Sequence, residues 1–242
     1  MQVFAHRGYS AKYPENTMAA FKAALQFNID GIELDVHETK DGALVVIHDE
    51  KVNRTTNGKG YVKDCTLKQI QQLDAGSWFH KRFKGEKIPS LQEVLQLAKP
   101  TGKIVNIELK SNVIPYDGMD IKVVQLVREM QMEGQVIISS FDHESLQRIK
   151  KVAPELEIAP LISNMIVNPW VYTKGLKANA MHLSGYFMQR QVALDTLQQG
   201  AVIRVYTINK KEHMRFIQQI GAAGIITDEV EVAMAFNNNN KV

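Results

Sequence analysis

The chain has 242 residues, of which 45% are hydrophobic and 23% are charged, as is ordinary for a globular protein with a large core. The formal net charge of +3 is too small to indicate a nucleic-acid partner or an anionic membrane surface. Cys65 is the single cysteine, which excludes an intrachain disulfide framework and argues against zinc held by thiolates. No signal peptide is visible, and no stretch reaches the roughly 20 apolar residues that cross a bilayer. We therefore expect a cytoplasmic protein without a membrane partner.

Strand-like and helix-like segments alternate along nearly the whole chain. Short apolar runs predict strands at residues 3–5, 31–36, 104–109, 136–139, 157–161, 180–183, 202–206 and 224–227. Helical patterns lie between them at residues 14–27, 120–130, 142–152, 189–198 and 210–220. The first of these helices has Asn16 or Thr17 as its cap, and residues 237–240 are a low-complexity tail. About eight βα units predict an α/β fold, a TIM (β/α)8 barrel, with a doubly wound open sheet as the alternative.

One apolar run, at residues 43–47, does not fit this alternation. Only Thr39-Lys40-Asp41-Gly42 separates it from the second strand, and a parallel crossover needs about a dozen residues. The run is therefore predicted to turn back as an antiparallel hairpin. It opens a small insertion over residues 43–88, with an amphipathic piece at 67–73. The next barrel helix then begins at Ser90, which forms a capping-box pattern with Glu93. We expect the insertion to cap the barrel mouth of a single domain spanning residues 1–242.

Polar chemistry concentrates at the ends of these strands. The groups concerned are His6-Arg7, Glu33-Leu34-Asp35, His48-Asp49 and Glu108-Leu109-Lys110. Because side chains alternate along a strand, Glu33 and Asp35 share one face, and so do Glu108 and Lys110. Taken alone, the two acids Glu33 and Asp35 are more often salt-bridged to other groups or exposed on the surface, and Glu108 with Lys110 is more often an ion pair. The carboxyl ends of barrel strands meet at one mouth, however, and this convergence favours a functional site.

A divalent metal site with acid and base groups beside it explains this set best. Three crowded carboxylates repel each other unless a cation lies between them. Oxygen ligands suit Mg²⁺ or Ca²⁺ rather than zinc. His6 and His48 are then free to move protons, and Arg7 and Lys110 to hold phosphoryl oxygens. Two other histidines are weaker candidates, because His37 shares the face of Asp35 and His182 is expected to be structural.

The same residues, in this order, resemble the glycerophosphodiester phosphodiesterase family. The matching segments are Ala5-His-Arg-Gly8, Pro14-Glu-Asn-Thr17, Glu33-Leu-Asp-Val36, Thr39-Lys-Asp-Gly42, His48-Asp49, Arg54-Thr-Thr-Asn-Gly58, Leu73-Asp-Ala-Gly76, Ile88-Pro-Ser-Leu91, Glu108-Leu-Lys110, Ser139-Ser-Phe141 and Thr227-Asp228. The resemblance covers nearly the whole chain. It implies a TIM barrel with a small insertion after the second strand.

The resemblance also implies a set of roles. The metal ligands would be Glu33, Asp35 and Glu108, the acid and base His6 and His48, and the phosphate-binding cations Arg7 and Lys110. The reaction implied is hydrolysis of glycerophosphodiesters, such as glycerophosphocholine or glycerophosphoethanolamine, to an alcohol and sn-glycerol 3-phosphate. A route through a cyclic phosphate, with one divalent cation as cofactor and a small-molecule partner, goes with it.

This chain departs from the common family pattern at two positions. Tyr206 stands where many relatives have Trp, and Val230 where many have Pro. These changes concern the shape of the substrate pocket, for which Phe79, Phe141 and Tyr206 are the weaker candidate walls. Alternatives to the phosphodiesterase are a lysophospholipase D, a non-catalytic phosphodiester sensor and a metal-dependent sugar isomerase. The headgroup, the choice between Mg²⁺ and Ca²⁺, and the oligomeric state stay open.

Overall fold

A computed structural model describes residues 1–164, 166–188 and 190–239. Its strands are β1 (Gln2–Ala5), β2 (Gly31–Glu38), β3 (Leu44–Val46), β4 (Ile104–Leu109), β5 (Val136–Ser140), β6 (Glu157–Ile162), β7 (Met181–Ser184), β8 (Ile203–Tyr206) and β9 (Gly224–Thr227). Among the described residues, eight parallel strands follow the order β1-β9-β8-β7-β6-β5-β4-β2, and pairing of β1 with β2 closes the ring. The predicted (β/α)8 barrel is confirmed, and the open-sheet alternative is wrong because neither end of the parallel sheet is left unpaired.

The two faces of each barrel strand have different tasks. Ile32 and Leu34 on β2 point outward and, with Ile107 on β4, join the large buried cluster that includes the helices. The alternate positions face the barrel interior, where a smaller apolar cluster is built around Phe4 and Ile137. Hydrophobic burial between strands and helices thus stabilises the barrel and leaves the inward positions near the mouth available for polar groups.

Helices cover the outside of the barrel. They are α1 (Met18–Leu25), α2 (Leu67–Ile70), α3 (Leu91–Ala98), α4 (Met119–Glu129), α5 (His143–Val152), α6 (Pro169–Gly175), α7 (Gln191–Gln198), α8 (Lys211–Gln219) and α9 (Val230–Asn239). Gln189, at the predicted start of α7, and Asn240, at the end of the predicted tail, lie outside the described residues. Within the described part of the chain, no helix has the length and apolar character needed to cross a membrane.

The first helix begins at Met18, directly after Thr17, which is one of its two predicted caps. Thr17, not Asn16, is the cap, and its hydroxyl oxygen accepts a hydrogen bond from the Ala20 amide at 3.3 Å. Asn16 instead has a left-handed backbone with φ of 56°, and its backbone N–H donates to the Arg7 carbonyl oxygen. The segment before α1 is thus held as a loop at the barrel mouth by contacts that periodicity along the chain does not reveal.

The segment at residues 43–88 leaves the barrel after β2. Strand β3 runs antiparallel to β2, with Val36 opposite Val46. The segment continues through short helical turns and α2, and returns at Ser90, where both hydrogen bonds of the predicted capping box are present. It buries its own apolar cluster, formed by Val45, Ile47, Val52, Val62, Ile70, Ala75 and Ile88.

Close packing inside the barrel wall leads to a prediction at Gly31. A Cβ atom at this position would lie 2.5 Å from the Ile104 carbonyl oxygen and 2.7 Å from the Phe4 ring. We expect Gly31→Ala to lower the free energy of unfolding by about 1–3 kcal/mol, measured by urea denaturation, because the backbone oxygen cannot move aside. Gly134→Ala is the control, since no described atom lies within 4 Å of its added Cβ. Equal stability of the two variants would contradict this account of the packing.

Candidate active site

Three carboxylates from neighbouring strands converge at the barrel mouth. Each of Glu33, Asp35 and Glu108 offers an oxygen, and these oxygens lie within 4.8 Å of one another. The strand register explains the convergence, because Asp35 on β2 stands directly beside Glu108 on β4. Glu33 and Asp35 are buried, whereas the Glu108 side chain keeps 13% of its surface exposed. The carboxylate group therefore opens toward solvent on one side.

Two cations lie against these acids. The Nε of Arg7 is 3.3 Å from Asp35 Oδ2, and the Nζ of Lys110 is 2.7 Å from Glu108 Oε1 and 3.7 Å from Asp35 Oδ1. The backbone of Arg7 has φ of 55°, and its amide donates to Glu33 Oε2 at 2.9 Å. The structure thus brings the two predicted phosphate-binding cations beside all three predicted metal ligands.

The pKa values of two of these acids, Glu33 and Asp35, are shifted in opposite directions. Burial raises the pKa of Glu33 to about 8, and the negative charges of Asp35 and Glu108 act in the same direction. Burial acts on Asp35 as well, but the charges of Arg7 and Lys110 outweigh it and hold the pKa of Asp35 far below its usual range. One of the three carboxyls therefore keeps its proton at neutral pH unless a further positive charge arrives.

The donor set fits a hard divalent cation. Asp35 Oδ1 and Asn16 Oδ1 are buried and have no hydrogen-bond partner among the described residues. The side-chain nitrogen Nδ2 of Asn16 donates to Asp35 Oδ2 at 2.8 Å, which fixes the orientation of that carboxylate. A buried oxygen without a hydrogen-bond partner destabilises the folded state, and a bound metal ion would supply the missing interaction.

His6 is held by a carboxylate from the last barrel strand. Its Nδ1 lies 2.7 Å from Oδ1 of Asp228, which follows β9 and also accepts from Ser10 Oγ and Asn209 Nδ2. Burial acts to lower the pKa of His6, but its interactions with neighbouring carboxyl groups, first of all the hydrogen bond with Asp228, raise it above its usual value. The same bond overcomes the effect of burial on Asp228 and lowers its pKa to about 2.

His48 has a matching arrangement on the insertion. Its Nδ1 lies 2.7 Å from Asp49 Oδ1, and Arg54 donates two hydrogen bonds to the same carboxylate at 2.8 Å. These bonds, with those from Arg54 first, hold the pKa of Asp49 far below its usual range. Among the described residues, no protein atom hydrogen-bonds to Nε2 of either His6 or His48. Both rings thus have one nitrogen oriented by a carboxylate and the other free for proton transfer.

The other two predicted histidines have different surroundings. His37 is not arranged as a ligand, because its ring nitrogens meet Tyr116 Oη at 2.9 Å and the His48 carbonyl oxygen at 3.0 Å. It supports the backbone of His48 instead. His182 is fully buried inside the barrel, where burial and the charge of Arg204 lower its pKa to about 3.

The predicted apolar walls separate into two places. Phe141 and Tyr206 form an edge-to-face pair, with ring centroids 6.3 Å apart. Phe79 packs instead against Trp78 and Phe83 on the insertion. Tyr206 also borders a cleft of about 540 Å³ that runs toward α8. Phe141 and Tyr206 therefore contact each other, whereas Phe79 belongs to a separate group of aromatic residues on the insertion.

The residues that orient the site were not predicted to have that role. Asp228 and Asp49 lie within motifs that the sequence displays, yet only the fold shows that each contacts a histidine. The sequence presents Asn16 as a candidate helix cap and as part of a family-matching segment, but not as a partner of Asp35. The one sequence signal that marks Asp228 is its position directly after a barrel strand, which is where catalytic groups of this fold lie.

Comparisons with known proteins show the family to which the chain belongs. The model of the glycerophosphoryl diester phosphodiesterase family matches residues 6–232. A glycerophosphodiester phosphodiesterase of Caldanaerobacter subterraneus subsp. tengcongensis is 45% identical over 229 residues, which cover 95% of this chain and 94% of the relative. One of Bacillus altitudinis is 40% identical over 243 residues, covering 99% of each chain.

Solved structures of the same kind share the fold. The crystal structure of glycerophosphodiester phosphodiesterase from Agrobacterium tumefaciens has a TM-score of 0.85 and 34% identity, covering 97% of this chain and 99% of its own. An Oleispira antarctica phosphodiesterase, determined in complex with the product sn-glycerol-3-phosphate, has a TM-score of 0.88 and 28% identity, covering 98% of this chain and 97% of its own.

The raised pKa of Glu33 predicts a pH-dependent stability in EDTA. Unfolded Glu33 loses its proton near pH 4.5, whereas folded Glu33 keeps it up to about pH 8. Stability of the wild type relative to Glu33→Gln should therefore fall as pH rises from 4.5 to 8, by at most about 1.4 kcal/mol per pH unit. Urea denaturation across this range measures the difference. Mg²⁺ or Ca²⁺ should remove it, because the bound cation favours the ionised carboxylate.

Glu129→Gln is the control for this measurement, since Glu129 is an exposed carboxylate on α4. Its stability should follow that of the wild type at every pH. If the free energies of unfolding of the wild type and Glu33→Gln change with pH in parallel, the pKa of Glu33 is not raised in the folded state.

Proposed function

Because this chain belongs to the glycerophosphoryl diester phosphodiesterase family and is a phosphoric diester hydrolase, we propose that it converts glycerophosphodiesters to an alcohol and sn-glycerol 3-phosphate. Glycerophosphocholine and glycerophosphoethanolamine are the substrates that we propose, within glycerophospholipid catabolism. The observation that carries the proposal is the convergence of three carboxylate oxygens within 4.8 Å, beside two cations and two carboxylate-oriented histidines.

Binding of the substrate begins with its phosphodiester anion. Lys110 is a buried cation and Arg7 a half-buried cation at the mouth, and each is already oriented by a carboxylate. We assign to them the non-bridging phosphoryl oxygens, which a guanidinium and an ammonium group hold by charge-assisted hydrogen bonds. Glu33, Asp35 and Glu108 would hold one divalent cation, Mg²⁺ or Ca²⁺, which when bound neutralises negative charge on the phosphoryl group.

Proton transfer is assigned to the two histidines. In the first step, His48 removes the proton from the glycerol 2-hydroxyl, whose oxygen forms a bond to phosphorus while the bond to the alcohol breaks. His6 protonates the departing alcohol oxygen, a role that its raised pKa suits because the protonated ring is favoured. Water then opens the cyclic phosphate with the two roles exchanged. The attacking hydroxyl belongs to the substrate, so the first step gains the advantage of an intramolecular reaction.

Removing either ring should stop turnover. We expect His6→Ala and His48→Ala each to lower kcat for glycerophosphocholine by about 10²–10⁴-fold, the range typical of acid–base groups. Release of sn-glycerol 3-phosphate, measured by a coupled dehydrogenase assay, reports the rate, and EDTA should abolish it in the wild type. His80→Ala is the matched control, since His80 is exposed on the insertion and its Nδ1 accepts a hydrogen bond from the Arg82 amide, and it should retain wild-type kcat.

Two results would contradict the proposal. Retained turnover in either His6→Ala or His48→Ala would remove the proton-transfer mechanism. Metal binding without turnover on any glycerophosphodiester would indicate a sensor. The same assay with lysophosphatidylcholine distinguishes a lysophospholipase D, which would prefer the acylated substrate.

A further inference from the structure

An unbroken chain of charged side chains joins Arg7 to His48. From Arg7 Nη1 it passes to Glu15 Oε1 at 2.8 Å, and from Glu15 to the guanidinium of Arg54. Arg54 then contacts Asp49, whose Oδ1 lies 2.7 Å from His48 Nδ1. The chain connects the loop after β1 with the insertion, so its two ends belong to different parts of the fold.

Arg54 is the junction of this chain. Its Nε and Nη2 donate to the two oxygens of Asp49, and its Nη1 and Nη2 donate to the two oxygens of Glu15, all at 2.8 Å. One planar guanidinium group thus clamps two carboxylates in bidentate fashion. This geometry requires arginine, because the ammonium group of lysine has no flat fork of donors.

We propose that Arg54 is a positioning residue that sets His48 and Arg7 at a fixed separation before substrate binds. Through Asp49 it orients the ring that moves the proton, and through Glu15 it orients the guanidinium that holds the phosphate. The inference rests on the function proposed above for His48 and Arg7. Arg54 itself touches neither of them, and it acts only through the two carboxylates.

The environment of Glu15 supports this role. Burial acts to raise the pKa of Glu15, but the hydrogen bonds from Arg54 and the charge of Arg7 prevail and lower it below the usual value. Glu15 is therefore an ionised carboxylate held between two arginines, with 14% of its side chain exposed. The Arg54 side chain keeps 43% of its surface exposed, and ion pairs of such groups contribute little to stability. Orientation, not stabilisation of the fold, is the consequence that distinguishes this clamp.

Steady-state kinetics of Arg54 variants test the proposal. With saturating divalent cation, Arg54→Ala should lower kcat for glycerophosphocholine about 10–100-fold, as loss of a supporting contact does at other sites. Arg54→Lys should remain similarly slow. Guanidinium ion added at millimolar concentration should restore part of the kcat of Arg54→Ala but not that of Arg54→Lys, whose ammonium group still occupies the site.

Arg82→Ala is the matched control. Arg82 also lies on the insertion and also reaches the loop after β1, where its Nη2 donates to the Lys12 carbonyl oxygen at 3.2 Å, but it contacts no proposed catalytic group. Its kcat should remain at the wild-type value. A kcat of Arg54→Ala equal to that of Arg82→Ala, or no recovery with guanidinium ion, would overturn the proposal.

A combined variant separates positioning from a general loss of structure. If Arg54 acts only through Asp49 and Glu15, then adding Arg54→Ala to the double variant Asp49→Asn, Glu15→Gln should lower kcat no further. A further loss of kcat on adding Arg54→Ala would overturn the proposal. If His48→Ala retains wild-type turnover, the proposed function fails together with this inference. If His48→Ala is inactive while Arg54→Ala keeps the wild-type kcat, the proposed function stands and only the role of Arg54 is overturned.

Discussion

Mutual repulsion of three carboxylates at the mouth of the barrel is the constraint on which the site depends. Two like charges about 4 Å apart repel by about 4 kcal/mol at an effective dielectric constant of 20. The chain offsets this with the charges of Arg7 and Lys110 and by leaving Glu33 protonated. A cation of charge two between the same oxygens is a more complete solution. The repulsion among these carboxylates therefore supports the proposal of a metal ion at this position.

The barrel makes this arrangement possible by separating stability from chemistry. Outward side chains such as Ile32 and Leu34 pack into the large core between strands and helices. Inward side chains of the same strand, Glu33 and Asp35, are free to be polar because the barrel interior below them is filled by Phe4 and its neighbours. Substitution on one face of β2 thus changes stability, whereas substitution on the other changes the site.

The two histidines proposed to transfer protons are oriented by residues one contact further away. Asp228 holds His6 from the end of the last strand, and Asp49 holds His48 from the insertion. Each dyad is tied to the barrel independently, the first through Asn209 and the second through Arg54. The insertion is thus more than a cover, since one of the two histidines and its orienting carboxylate belong to it.

The sequence alone determined the barrel, the antiparallel excursion after β2 and the identity of the converging acids, since these follow from local periodicity and from the rule that strand ends meet at one mouth. Periodicity left the cap of α1 open between Asn16 and Thr17, and only the contacts of Asn16 with Arg7 and Asp35 show why Asn16 stays outside the helix. It also left open what His37 contacts. Only the tertiary structure decided that His6 pairs with Asp228, which is 222 residues away along the chain. Such pairs depend on how distant segments are brought together, and no pattern within one segment records that.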